Sequence, residues 1–212
     1  MHDTFKLPPI SGLILAGGRG QRMGGIDKGL ADYRGAPLVA TVLERLRPQV
    51  AEVQISANRN LDTYASFGTA VFADQVGGFA GPLAGIHAGL CHARHELVAV
   101  VPCDSPLLPT DLVVRLYRAL QAAAAEIAVA TTDGRSHPVF CLCRRALAAD
   151  LQAYLLADGR RVDGWQRSRR RVEVAFDDVA AAFANLNSAE ALRTASEPPG
   201  TPPRTAPPPA PR

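Results

Sequence analysis

The chain has 212 residues, of which 47% are hydrophobic and 20% are charged, and its formal net charge is +3. This composition is typical of a globular chain with one substantial core. The small charge gives no support for non-specific nucleic-acid binding, no apolar run approaches the ~20 residues of a membrane helix, and residues 1–9 lack a signal-peptide core. We therefore expect a cytoplasmic protein that acts on small molecules, without nucleic acid or membrane as a partner.

Composition also sets the expected domain boundaries. Residues 1–10 are predicted to be a flexible leader and residues 11–195 a single domain. The segment 196–212 contains eight of the chain's 17 prolines and no aromatic residue. It cannot build a core, and we predict that it is disordered. The four cysteines form no C-x-x-C pair and are expected to be buried, reduced thiols.

Apolar periodicity predicts alternating strands and helices through the domain. The predicted strands cover residues 13–16, 52–57, 69–73, 97–102, 127–131, 139–143 and 172–176. The predicted helices cover residues 38–46, 61–67, 82–93, 110–125 and 144–156, and a polar turn is predicted over 133–138. This alternation predicts an α/β fold class, with a doubly wound, mostly parallel, Rossmann-like sheet and helices on both faces.

A glycine-rich segment follows the first predicted strand. Residues 15–28 read LAGGRGQRMGGIDK and contain five glycines. Such a loop can turn its N–H groups toward an anion, and Arg19, Arg22 and Lys28 add positive charge, which favours polyphosphate. It is not a Walker loop, because no Ser or Thr follows Lys28, nor a dinucleotide fingerprint, because Met23 replaces the third glycine. A surface turn without a ligand is the alternative.

Polar residues follow several of the predicted strands. The carboxyl ends of parallel strands share one edge of a doubly wound sheet, where ligands gather. The residues expected there are Gly17, Gly18, Asn58, Asp74 and Asp104. Asp104 is suited to bridge Mg²⁺, the expected cofactor, to nucleotide phosphates, whereas Asn58 and Asp74 are suited to a base or ribose. Each could instead close a turn, and Asp104 could cap the next helix.

The segment that begins LAGG and ends RMGGIDK resembles the signature of nucleotidyltransferases that join a nucleoside monophosphate to a phosphorylated acceptor. Within that superfamily the doubled glycines and the Asp-Lys pair look like those of the molybdenum cofactor guanylyltransferases. The resemblance spans residues 12 to about 192. It implies transfer of GMP from GTP to the terminal phosphate of Mo-molybdopterin, with Mg²⁺ as cofactor and release of pyrophosphate.

The resemblance also implies roles for individual residues. The donor nucleotide would contact Leu15, Ala16, Gly17, Gly18, Lys28, Asn58, Asp74 and Asp104. Catalysis is assigned to Lys28, Arg22 and Asp104, with Asp104 as the metal ligand. The acceptor candidates are Arg19, Gly81, Pro82, Gly85, His137, Arg160, Arg161, Asn185 and Asn187.

Some acceptor candidates have simpler interpretations. Gly81-Pro82 is also a plain helix start, and His137 by itself is typical of a surface or turn histidine. Arg160 and Arg161 come from the basic segment, residues 160–171. Guanidinium groups match phosphate geometry, but a run of charges is usually a solvated face.

Other functions stay open at this point. A cytidylyltransferase for the same cofactor, or a sugar-1-phosphate nucleotidyltransferase, would have a similar phosphate loop. A non-catalytic carrier would bind GTP or the pterin without Mg²⁺-dependent release of pyrophosphate, and a plain structural domain would bind no GTP. Expected protein partners are those that handle molybdopterin or mature molybdoenzymes.

Overall fold

The computed structural model of the chain describes residues 6–17, 27–73 and 81–184. The predicted tail and half of the predicted leader lie outside these ranges. So do six of the candidate site residues: Gly18, Arg19, Arg22, Asp74, Asn185 and Asn187.

Strands and helices alternate along the described ranges. The strands are β1 (Ser11–Leu15), β2 (Asp32–Tyr33), β3 (Ala36–Pro37), β4 (Glu52–Ser56), β5 (Ala70–Phe72), β6 (Leu97–Pro102), β7 (Ile127–Thr132), β8 (Arg135–Arg144) and β9 (Arg171–Ala175). The α-helices are α1 (Leu38–Leu46), α2 (Leu61–Ala65), α3 (Pro82–His92), α4 (Leu112–Ala122), α5 (Ala148–Leu156) and α6 (Val162–Arg167). Short 3₁₀ segments occur at Lys28–Leu30, Arg47–Gln49, Arg145–Leu147 and Asp177–Phe183.

Seven of the strands form one sheet in the order β5-β4-β1-β6-β8-β7-β9, and β2 pairs with β3 separately. Neighbouring strands of the large sheet are parallel, except that β8 is antiparallel to both β6 and β7. The predicted α/β fold class, with a mostly parallel sheet between helices, is confirmed.

The connection between β7 and β8 differs from its prediction. The sequence predicts a polar turn over 133–138, but β8 already begins at Arg135. Asp133 and Gly134 alone make the turn, with φ values of 48° and 72°. Positive φ at both positions is typical of the tight hairpin that an Asp-Gly pair favours. Because a two-residue connection joins only antiparallel strands, β8 runs against its neighbours.

Apolar side chains cover both faces of the sheet. In β1, Leu13 and Ile14 are fully buried in two separate clusters, because successive side chains of a strand point to opposite faces. Helices α1 and α4 pack on the face of Ile14, and α3, α5 and α6 pack on the face of Leu13. Each fully buried large aliphatic side chain contributes roughly 1.5–3 kcal/mol. This packing fixes the sheet and so positions the loops at the strand ends.

The prediction for the cysteines has a mixed outcome. Cys103, Cys141 and Cys143 are buried free thiols, as expected, but Cys91 is exposed near the end of α3. Within the described ranges, no helix has both the length and the apolar character needed to cross a membrane.

Candidate active site

The carboxyl ends of three parallel strands meet at one edge of the sheet. Leu15, the last residue of β1, lies between Ser56 of β4 and Pro102 of β6 in the strand register. Backbone pairing continues beyond the strands. The N–H of Ala16 donates to the Ser56 carbonyl at 2.8 Å, and the N–H of Cys103 donates to the Leu15 carbonyl at 3.1 Å. The loops that follow these strands therefore leave the sheet side by side.

A predicted site residue stands two positions beyond each of these three strands. They are Gly17 after β1, Asn58 after β4 and Asp104 after β6. A Cβ atom at Gly17 would lie only 3.3 Å from Nδ2 of Asn58, so the Asn58 amide packs directly against the backbone of the glycine loop. The expectation that these strand ends share one edge is confirmed.

Lys28 and Asp104 form an ion pair at this edge, between Nζ and Oδ2. The two residues are 76 positions apart in the chain, and the sequence places both in one site without predicting their direct contact. Asp104 is 8% exposed. Its second oxygen, Oδ1, is buried and has no hydrogen-bond partner among the described residues. A buried, unpartnered carboxylate oxygen is an unusual group that suits a hard cation.

Asp104 does not cap the following helix, because α4 begins only at Leu112 and the residue at its N-cap position is Asp111. The predicted start of that helix at residue 110 is therefore two residues early. The loop between β6 and α4 is held by α1 and the segment after it. Arg45 Nε donates to the Leu108 carbonyl at 2.5 Å, and Gln49 Nε2 donates to the Pro109 carbonyl at 2.9 Å.

Asp27 fixes the segment that carries Lys28. Its side chain accepts a hydrogen bond from the Gly29 N–H at 3.2 Å, which caps the short 3₁₀ segment Lys28–Leu30. The same carboxylate accepts from Asn60 Nδ2 at 2.9 Å and from the Tyr64 hydroxyl at 2.6 Å. Asn60, just before α2, and Tyr64, within α2, therefore anchor the segment that carries Lys28.

The start of α3 also lies at the carboxyl edge, since α3 leads from β5 to β6 in a parallel crossover. Gly81 has φ 62° and ψ −146°, a conformation that only glycine adopts readily, and Pro82 begins the helix without a side-chain cap. Within the helix, a Cβ at Gly85 would lie 2.8 Å from Ser56 Oγ and 3.0 Å from Leu15 Cδ2. Gly85 thus allows α3 to lie close to β1 and β4.

His137 lies in β8 opposite Ala130, near the carboxyl end of β7. Its interpretation as a turn or surface histidine is wrong, because the residue is half-buried within a strand. Its Nε2 is 2.7 Å from Thr132 Oγ1, and its ring stacks on Phe183 with centroids 5.0 Å apart. Burial lowers the pKa of His137, and the charge of Arg135 lowers this pKa further. Both effects favour the neutral form of the imidazole.

The basic segment, residues 160–171, contains helix α6, which the sequence does not predict. Most of its arginines pair with acidic side chains of the same chain. The pairs are Arg160 with Asp158, Arg167 with Asp163 (2.8 Å), Arg169 with Asp150 (2.8 Å), Arg170 with Glu126 (3.6 Å), and Arg171 with Asp163 (2.6 Å) and Glu173. Arg161 precedes α6, and its backbone carbonyl accepts from the Tyr154 hydroxyl at 3.3 Å.

Three residues near the site have no site role in the sequence predictions: Asp27, Asn60 and Tyr64. Asp27 stands inside the glycine-rich motif, which was the only available signal. Nothing in the local sequence of α2 indicates that Asn60 and Tyr64 bond to a carboxylate more than thirty residues earlier. Among the described residues, no three His, Cys, Asp or Glu side chains lie together in a way that could hold a metal.

Residues 12–173 match the family model of the MobA-like NTP transferase domain, which covers most of the chain. The chain belongs to this family. MobA-like domains are nucleotidyltransferases, so the family that the glycine-rich motif predicts is confirmed, and the protein is an enzyme of that class.

Individual relatives agree with the family match. A molybdenum cofactor guanylyltransferase of Ralstonia nicotianae is 53% identical over 197 residues, which cover 89% of this chain and 96% of the relative. One from Cupriavidus necator is 52% identical over 190 residues, with 87% and 95% covered. Among solved structures, the molybdopterin-guanine dinucleotide biosynthesis protein A of Archaeoglobus fulgidus has a TM-score of 0.72 at 22% identity, covering 88% of this chain and 96% of that one.

More distant structures share the fold alone. A CMP-2-keto-3-deoxy-manno-octonic acid synthetase in complex with CTP has a TM-score of 0.64 at 16% identity, and 88% of this chain and 96% of that chain are covered. That protein is in complex with a cytidine nucleotide, so the fold does not by itself select a base.

Proposed function

We propose that the protein transfers GMP from GTP to the terminal phosphate of Mo-molybdopterin, which forms the guanine dinucleotide cofactor and releases pyrophosphate. The observation that carries the proposal is the Lys28–Asp104 pair at the carboxyl edge, where Asp104 keeps one buried oxygen without a hydrogen-bond partner among the described residues. The names of relatives about half identical to the chain supply the substrates.

The donor nucleotide is proposed to lie along the edge formed by β1, β4 and β6. The backbone of Leu15 to Gly18 would contact its phosphates, and Asn58 and Asp74 its base or ribose. The close packing of Gly17 against Asn58 supports this arrangement, because it joins the phosphate loop to a side chain with both donor and acceptor atoms. Asn58 could then contact the nucleoside while Gly17 contacts phosphate.

Lys28 is proposed to neutralise triphosphate charge, together with Arg22. An ammonium has three donor hydrogens, so Lys28 can keep its bond to Asp104 and still donate to phosphate oxygens. Because the ion pair is largely shielded from water, with side-chain exposures of 24% and 11%, its charges act in a medium of lower dielectric than bulk solvent.

Asp104 would hold Mg²⁺ through Oδ1. The fit rests on the burial of this oxygen, on its lack of a partner among the described residues, and on the preference of hard cations for carboxylate oxygens. When bound, Mg²⁺ supplies positive charge to the phosphate oxygens of the nucleotide.

The reaction itself requires no protein nucleophile. An oxygen of the acceptor's terminal phosphate attacks the α-phosphorus of GTP and forms a new P–O bond. The bond from that phosphorus to the bridging oxygen of the β-phosphate breaks, and pyrophosphate leaves with the electron pair. The protein's contribution is to align the two phosphates and to neutralise their charge.

The acceptor is proposed to bind along the start of α3 and the start of β8. The candidates at these two places are Gly81, Pro82 and His137. Gly85 belongs with them because it allows the close packing of α3. The other candidates are Arg160 and Arg161, which precede α6, and Arg19, Asn185 and Asn187. Gly81 and Pro82 support the proposal because α3 has eleven residues and begins after a glycine, which has no side chain to cap it, and the N–H groups of a helix's first turn can bind a phosphate.

We also propose that the reaction takes place in the cytoplasm, and that the acceptor arrives from and leaves to proteins that handle molybdopterin or mature molybdoenzymes. The supporting feature is that the relatives are named for cofactor synthesis.

The test is release of pyrophosphate with Mo-molybdopterin, Mg²⁺ and each of GTP, CTP, UTP and ATP in turn. The proposal expects release with GTP that depends on both the acceptor and Mg²⁺. Preference for CTP would assign the chain to the cytidylyl reaction instead. Binding of GTP without any release would assign it to the carrier function.

A further inference from the structure

The geometry points to Tyr64 and Asn60 as positioning residues that act through Asp27 to hold Lys28 against Asp104. This inference rests on the proposed function, in which Lys28 contacts the triphosphate. Tyr64 and Asn60 both bond to the carboxylate of Asp27, the neighbour of Lys28 in the chain.

Asp27 has partners on both of its carboxylate oxygens. Oδ1 accepts from the Tyr64 hydroxyl at 2.6 Å and from the Gly29 N–H at 3.2 Å, and Oδ2 accepts from Asn60 Nδ2 at 2.9 Å. Hydrogen bonds to an ionised carboxylate are stronger than those between neutral groups. The residues on either side of Lys28 are therefore tied to one carboxylate, and that carboxylate is tied to α2.

Tyr64 is a rigid anchor for this network. Its side chain is fully buried, and it belongs to the core cluster on the face of α1 and α4. Burial raises the pKa of Tyr64 far above its ordinary value, and the bond to Asp27 raises it further, so the hydroxyl keeps its proton and donates. The Tyr64 ring is held in the core, and its hydroxyl bonds to Asp27. The core therefore fixes the position of the segment that carries Lys28.

Asn60 is the second residue that bonds to Asp27, and its side chain does so in place of capping α2. It has a left-handed conformation, φ 52° and ψ 36°, at the N-cap position of α2, yet its side chain does not cap that helix. An N-cap side-chain bond would stabilise α2, and asparagine is among the few residues other than glycine that adopt the left-handed region. Asn60 forgoes the cap, and its amide reaches Asp27 instead.

Gly29 completes the fit. A Cβ atom at this position would collide with the Tyr64 hydroxyl, so the chain just after Lys28 passes directly over that oxygen. Any side chain there would push Lys28 away from α2. Gly29, Tyr64 and Asp27 together restrict where the backbone of Lys28 can lie.

The segment that holds Lys28 also carries a nucleotide candidate. Asn58 precedes Asn60 by two residues, between the end of β4 and the start of α2. A shift of α2 would therefore displace both the Asn58 amide and the anchor of Lys28. Because misplacement of a reacting group by about 1 Å can cost 10²-fold in rate, this network is expected to influence turnover strongly.

The first test is Tyr64→Phe, which removes only the hydroxyl from a buried ring. We expect kcat to fall about 10- to 100-fold, with the Kd for GTP changed less than the rate. In a Lys28→Ala background the same substitution should lower the rate by less than twofold, because the side chain that it positions is gone. Ser66→Ala is the matched control, since it removes another hydroxyl of the α2 region that bonds to the Thr63 carbonyl. Its kcat should equal that of the wild type.

Hydrogen exchange gives a second readout that does not depend on turnover. In Tyr64→Phe the amides of residues 28–31 should exchange faster than in the wild type, and in Ser66→Ala they should not. Wild-type kcat in Tyr64→Phe, an equal loss with and without Lys28, or unchanged exchange at residues 28–31 would each overturn the inference. A wild-type enzyme that transfers no GMP would overturn the proposed function, whereas the exchange result would still decide whether Tyr64 holds the segment.

Discussion

Two regions of the molecule concentrate charge, and they use it in opposite ways. In residues 167–171, the part of the basic segment outside the proposed acceptor site, each of the four arginines pairs with an acidic side chain. At the carboxyl edge, Asp104 pairs with Lys28 through one oxygen and has no hydrogen-bond partner for the other among the described residues. The first region is a completed network, and the second has a position left for a ligand.

The difference teaches that the density of charge in a sequence is a poor guide to a site. The four arginines are conspicuous in the sequence, but their charges are balanced within the fold. Asp104 is a single carboxylate. It is buried, and its Oδ1 has no hydrogen-bond partner among the described residues, which indicates a role in binding or catalysis. Substitutions in the two regions should therefore have opposite phenotypes.

Asp104→Asn should have the largest effect on activity. The substitution keeps the shape of the side chain but removes the negative charge, and we expect GMP transfer to fall by about 10³-fold or more. Thermal unfolding measured in parallel should show a folded protein. Activity within tenfold of the wild type would contradict the proposed difference between the two regions. The Asp104–Lys28 pair would then stabilise the fold, as the arginine pairs do, and would not take part in the reaction.

Lys28→Ala should have the next largest effect. Removal of the ammonium is expected to cost about 10²- to 10³-fold in kcat, since it takes away charge neutralisation at the triphosphate. Lys28→Arg is the informative companion, because a planar guanidinium cannot reproduce the contacts of a compact ammonium, and it should restore little of the rate. Full activity in Lys28→Arg would show that charge alone is needed at this position.

Arg171→Met should act on stability and leave turnover intact. The Arg171 side chain is 7% exposed and bonds to Asp163 and Ser136 as well as Glu173, so its loss removes a buried guanidinium and three of its polar contacts. We expect a loss of about 2 kcal/mol in the free energy of unfolding, measured in urea, because the partners are themselves partly exposed. A loss of kcat in the folded variant, at a temperature well below its unfolding, would extend the site into residues 167–171.

The smallest expected effect is a pH dependence of stability from the same segment. The hydrogen bond from Arg171, together with the charges of Arg167 and Arg171, holds the pKa of Asp163 below its ordinary value of 3.8. Because the folded-state pKa is the lower one, this contribution is fully present above pH 3.8 and is lost as the pH falls through the folded-state value.

Urea unfolding between pH 5 and pH 3 measures this effect. The wild type should lose more stability than Asp163→Asn over that interval, and the difference should be small because Asp163 is partly solvated. Equal slopes for the two proteins would show that the Arg171–Asp163 pair contributes nothing to folding.

Much of the fold and part of the site could be predicted from the sequence. The alternation of apolar segments predicts the parallel sheet, and the rule for strand ends brings Gly17, Asn58 and Asp104 to one edge before any coordinates are seen. The hairpin at Asp133 and Gly134 was also visible in the sequence, but the polar residues after it hid the start of β8.

What could not be predicted depends on contacts between distant residues. The bonds from Lys28 to Asp104 and from Asp27 to Tyr64 join segments 76 and 37 residues apart, and no local pattern encodes which acidic group a lysine or tyrosine will meet. The same holds for the basic segment. Glu126 and Asp150 are distant in the sequence from the arginines with which they pair in the fold. The balance of charge becomes visible only once the chain is folded.

The most direct test follows the α-phosphorus of GTP. With Mo-molybdopterin and Mg²⁺ present, GTP labelled at the α-phosphate should transfer its label to the cofactor in the wild type, and the transfer should be lost in Asp104→Asn but retained in Arg171→Met. Transfer by Asp104→Asn at the wild-type rate, or label that never leaves GTP in the wild type, would contradict the assignment of the reaction to the Lys28–Asp104 edge.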